Sequence, residues 1–176
     1  MERGERQDEM AGAKLQTIVD DYLAALRAWG AVAGREASPL RSVNDGGGCV
    51  FRKGEQHGIA LTGAETGIVF VRLGPMEGGE KSAGSGNNFW RTWVLQVDLL
   101  VPDDETDPSG TEDARIGLID EFGEFMGSIE TRTLFGNAKV GHISKAEPQI
   151  CTLTEGAKQI FRGWACEVSY RTLKSG

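Results

Sequence analysis

The sequence predicts an α+β fold, a mostly antiparallel sheet packed by two helices, and three patterns along the chain point to it. Near the start, one apolar stripe recurs at three-four spacing. In the middle, a long strand alternates with one wholly apolar face. Near the end, an acidic break and an amphipathic helix lead into a second alternating strand.

The first helix is predicted over residues 12–30, after a polar tail of residues 1–10; residues 11–176 then form one domain. Leu15, Ile18, Val19, Tyr22, Leu23, Leu26 and Trp29 make its stripe, and Asp20, Asp21 and Arg27 fall off it. Gly30 and Gly34 offer stops. Residues 49–52 and 59–62 read as short strands around a loop or loose hairpin at 53–58. Residues 68–73, Ile-Val-Phe-Val-Arg-Leu, are rich in β-branched residues and predict a strand. Residues 74–88 are glycine-rich and polar, which predicts an exposed, mobile loop.

The next strand spans residues 89–101. Trp93, Leu95, Val97, Leu99 and Val101 form its apolar face, and Gln96 and Asp98 make the other face partly wet. Ser109 and Glu112 have capping-box spacing, with Asp113 adding negative charge at the helix start. The second helix is predicted from near Thr111 to about Ile129, its apolar side carrying Ile116, Ile119, Phe122 and Met126. Gly117, Gly123 and Gly127 each cost roughly 1 kcal/mol relative to alanine. Gly123 and Gly127 lie one turn apart, where they would permit close packing. Residues 139–147 read as a further strand, and Pro148 bars a central position there. From Ile160 onward Trp164, Cys166, Val168 and Tyr170 face one side and Glu167, Ser169 and Arg171 the other, closing an antiparallel sheet.

Bulk properties narrow the function classes. A chain of 176 residues is about one domain, and 39% hydrophobic with 26% charged residues is ordinary for a soluble protein. The net charge of −7 disfavours tight DNA or RNA binding, which draws on basic faces for phosphate. The charge is uneven. Residues 98–130 hold eleven acidic residues and one basic residue, Arg115; of the chain's 26 acidic and 19 basic residues, that leaves 15 and 18 elsewhere. Opposed patches of this kind suit head-to-tail association, but a solvated acidic helix face is the better account of most of those carboxylates. The three cysteines, Cys49, Cys151 and Cys166, form no C-x-x-C pair and read as reduced thiols. The N-terminal residues lack a signal-peptide apolar region, and no run is long enough to span a membrane.

No catalytic or cofactor constellation stands out. Asp103, Glu105 and Asp107 resemble the opening of a calcium loop, but Pro108 and Ala114 occupy the positions that need glycine and a bidentate glutamate. Asp120 and Glu124, or Glu121 and Glu124, share a helix face, but nothing would push their pKa values apart. His57 and His142 have no accompanying nucleophile motif. The glycines at 46–48 and 84–86 do not open a helix as a phosphate cradle would. Among the aromatics, Trp93 and Trp164 fall on core faces, while Trp90, beside Arg91, is a candidate contact residue.

The order of these elements resembles the tail terminator (tail completion) proteins of long-tailed bacteriophages and gene transfer agents. The resemblance rests on the strand Trp93-Val-Leu-Gln-Val-Asp-Leu-Leu-Val-Pro102, the acidic loop and helix opening at Thr111-Glu-Asp-Ala-Arg, the closing Val168-Ser-Tyr-Arg171 and the N-terminal helix. It covers about half to two-thirds of the chain and leaves residues 31–66 and the glycine-rich loop unmatched. It implies a structural virion protein rather than an enzyme, with no cofactor or metal, assembled in the host cytoplasm. Copies would form a ring, commonly a hexamer, on the head-proximal end of the tail tube. The ring would meet the major tail tube protein on one side and head-completion or neck proteins on the other, with transient, non-specific passage of DNA and no membrane contact. Asp103, Asp104, Glu105, Asp107, Asp120, Glu121 and Glu124 are then the candidate lumen or interface residues, with Trp90. The loop at 74–88 would grip the adjacent ring. A head-closure type of joining protein and a small-ligand or enzymatic α+β module are the alternatives.

Overall fold

The computed structural model describes residues 15–41, 47–54, 65–77, 88–128, 138–155 and 157–175. Among the described residues, two helices and five strands follow in the order α1 (Leu15–Ala31), β1 (Gly48–Lys53), β2 (Glu65–Glu77), β3 (Asn88–Pro102), α2 (Pro108–Gly127), β4 (Ala138–Glu155) and β5 (Ala157–Ser175). The strands form one sheet in the order β1-β2-β3-β5-β4. Only β1 and β2 pair in parallel; the other three pairings are antiparallel. This is the expected α+β architecture. The predicted strand at 59–62 and most of the 53–58 loop lie outside the described residues.

Both helices lie on one face of the sheet, α1 over β1 and β2, α2 over β3, β5 and β4. The core between them is built from Ile18, Val19, Tyr22, Leu23, Leu26 and Trp29 of the predicted α1 stripe and from Leu95, Val97, Leu99 and Val101 of β3. Cys166, Val168 and Tyr170 of β5 complete it from the sheet. Tyr22 of α1 is central: its ring meets Phe125 at 5.6 Å and Tyr170 at 6.1 Å, both edge-on, and its hydroxyl donates to Met126 Sδ at 3.1 Å. Burial of each such side chain contributes roughly 1.5–3 kcal/mol, and edge-on ring pairs add about 0.5–1.5 kcal/mol.

The second helix differs from expectation in three ways. It starts at Pro108, with Asp107 as N-cap: the Gly110 N–H donates to Asp107 Oδ1 at 3.0 Å, so the Ser109–Glu112 capping box does not form. Its buried side chains are Thr111, Leu118, Phe122, Phe125 and Met126, while Ile116 is 43% exposed. Among the described residues a Cβ at Gly117, Gly123 or Gly127 would meet nothing within 4 Å, so these glycines serve no close packing there. Ile129 lies outside the described residues.

Strand β2 runs on to Glu77, four residues into the predicted loop. Gly74 and Pro75 sit in an irregularity opposite Val94, since Leu73 pairs with Leu95 and Met76 with Trp93. A bulge is where a sheet tolerates proline. Residues 78–87 lie outside the described residues. The predicted strand at 139–147 is part of an 18-residue strand that passes through Pro148 and pairs with the 19-residue β5. At about 3.3 Å per residue this hairpin is about 60 Å long, roughly twice the 30 Å of a 20-residue helix. Pro148 is accommodated because β4 is an edge strand.

The face away from the helices carries a second cluster, Ile68, Phe70, Leu100 and Phe161, with Val50 and Cys151 against it. Asp98, expected on a wet face, is instead 5% exposed there. Arg72 Nη1 donates to Asp98 Oδ2 at 3.3 Å and Gln149 Nε2 to Oδ1 at 3.0 Å. Gln149 stands on β4, a strand beyond β5. It reaches Asp98 across Gly163 and Ala165, whose small size leaves the path over β5 open.

Each edge of the sheet has its own treatment. At β1 the Cys49 N–H is taken by the Arg41 carbonyl at 2.8 Å, and Arg27 Nη2 lies 3.4 Å from the Phe51 carbonyl. At β4 a register shift between Ile143 and Lys145, the exposed charges Lys145 and Glu147, and Pro148 interrupt the border. These are devices that discourage strand addition.

Candidate functional site

The acidic segment between β3 and α2 is shaped by its own hydrogen bonds. Asp103 is tied to β5 twice: its N–H donates to the Ile160 carbonyl at 2.9 Å, and Arg162 Nε donates to its Oδ1 at 2.9 Å. Asp104 Oδ1 accepts from the Thr106 N–H at 2.9 Å and the Thr106 hydroxyl at 2.6 Å, a local Asx-type turn. The Thr106 hydroxyl and N–H hold the Asp104 carboxyl below its ordinary pKa. Asp107 caps the helix. Glu105 is exposed at the tip. Of this quartet, Asp103, Asp104 and Asp107 have intrachain duties, and Asp104, Glu105 and Asp107 also present charge to solvent.

On α2 the predicted residues diverge. Glu121 is half-buried: its Oε1 accepts from Trp29 Nε1 at 2.9 Å and from the Ser38 hydroxyl at 2.8 Å. It fastens α2 to the end of α1 and to the segment that follows. Arg35 reinforces this segment, its guanidinium 3.2 Å from the Trp29 ring centroid and its Nη1 donating to the Trp29 carbonyl at 3.1 Å. Asp120 and Glu124 are exposed, as are Glu112 and Asp113. Trp90 falls on β3 opposite Leu173 of β5, and its side chain lies outside the described residues. The structure thus brings Asp103, Asp104, Glu105 and Asp107 together at one end of α2, with Asp120 and Glu124 further along the helix.

A cleft of about 380 Å³ lies between the first half of α2 and β4, lined by Glu112, Arg115, Pro148, Gln149, Ile150 and Arg162. Arg115, the lone base of the acidic stretch, spreads over the Trp164 ring at 4.4 Å. The Trp164 Nε1–H donates to the Arg115 carbonyl at 3.0 Å. Glu112 accepts from Arg115 Nη2 at 2.7 Å and Nε at 3.1 Å; the Arg115 guanidinium holds the Glu112 carboxyl below its usual range. Both cationic side chains of the cleft are therefore matched, Arg115 by Glu112 and Arg162 by Asp103. The isolated arginine within a run of acids was the sequence signal for this arrangement. Asp98, flanked by leucines in an apolar strand, was the signal for the buried pair with Arg72.

His142 is exposed on β4, and His57 lies outside the described residues. Among the described residues no three histidine, cysteine or acidic side chains come together in a way that could hold a metal. The three thiols are free; burial pushes Cys49 and Cys166 up to about 12 and Cys151 to about 11. No helix among the described residues is long and apolar enough to cross a membrane. No protein-family model matches the chain, and no curated protein matches it in sequence.

Proposed function

We propose that this chain is a structural virion protein of the tail-terminator type. Copies form a ring, a hexamer in this reading, on the head-proximal end of a tail tube. The ring stops tube growth and joins the tail to the neck, and DNA passes through its centre. The observation that carries the reading is the architecture: helix, three strands, helix, two strands, with both helices on one face of a mostly antiparallel sheet. That is the arrangement the resemblance leads one to expect. The uneven charge adds support, because exposed carboxylates lining a lumen repel phosphate and keep DNA from sticking. Asp104, Glu105 and Asp107 are the lumen candidates, since they are exposed at the turn before α2.

The test is capping. The purified protein is added to growing tubes of the tail tube protein from the same particle, and the ends are imaged in negative stain. Tubes of arrested length with a ring at one end are expected. Tubes that keep elongating with bare ends would overturn the reading.

A further inference from the structure

We draw no further inference here: the strongest candidate, the cleft of about 380 Å³ between α2 and β4 with the exposed Ile150 on its wall, carries nothing because its two guanidinium groups are already matched by Glu112 and Asp103 and nothing in the structure shows what covers it.

Discussion

Replacing Gly163 by alanine should be among the most damaging single-methyl additions in this protein. Gly163 lies on β5 opposite Leu100 of β3, in the longest antiparallel pairing of the sheet's centre. A Cβ built there would collide with the Leu99 carbonyl oxygen and stand 2.8 Å from the Leu99 carbonyl carbon and 3.0 Å from Leu100 Cα. All three are backbone atoms, so no rotamer change relieves the overlap. The strands must separate or distort, and a backbone angle forced by 15° alone costs about 4 kcal/mol. Leu99 and Leu100 are fully buried on opposite faces, so displacement disturbs both clusters at once. A loss of about 4 kcal/mol at roughly 2–4 °C per kcal/mol for a chain of this size lowers the melting temperature by about 8–16 °C. Against a typical total of about 5–15 kcal/mol, that brings the fold near its limit. Thermal and urea melts of dilute protein, followed by circular dichroism, measure it. Gly123→Ala is the internal control, with a gain of up to about 1 kcal/mol because its methyl meets open space. A Gly163→Ala melt within about 2 °C of the parent, or an equal fall for Gly123→Ala, would refute the reasoning.

Asp98→Ala should lower stability by about 2–3 kcal/mol in urea titrations, because it removes the carboxylate to which both Arg72 and Gln149 donate and leaves them only Gln96 and the Trp164 carbonyl. Asp107→Ala removes the α2 cap and should cost about 1 kcal/mol by the same assay. Asp104 and Glu112 have carboxyl pKa values depressed in the folded state. The stability they lend is complete above their unfolded pKa values and is lost as pH falls through the lower folded values. Thr106→Val, which removes the hydroxyl donor to Asp104, should shift the acid-unfolding midpoint to higher pH in a circular dichroism titration. A thiol reagent at about pH 8 should leave Cys49 and Cys166 unmodified until the protein unfolds, with half-buried Cys151 the first to react in mass spectra.

Periodicity made most of the sheet and the first helix readable. The α1 stripe and the alternations of β3 and β5 each bury one clear set of side chains, and burial of one face is what hydrophobic spacing reports. The misreadings come from places where a local signal competed with a tertiary one. Ser109 and Glu112 have the right spacing for a box, but Asp107 precedes Pro108, whose fixed φ suits the first helical turn. Ile116 was placed inward in preference to Leu118 and Phe125 because the glycines blur the apolar arc of α2. Gly74 and Pro75 look like loop residues and are absorbed by a bulge. Asp98 looked wet because its partners, Arg72 and Gln149, come from strands distant in sequence. The same holds for the candidate site. That Asp103, Glu121 and Arg115 are engaged depends on Arg162, Trp29 and Trp164, which only the fold brings near.

The stoppered borders of the sheet bear on how such a protein survives before it is used. With the β1 rim occupied by Arg41 and Arg27 and the β4 rim broken by a bulge, two charges and a proline, newly made molecules can accumulate without zipping into fibrils. In the ring proposed above, copies would then meet through side chains, which can let go and try again until the geometry is right.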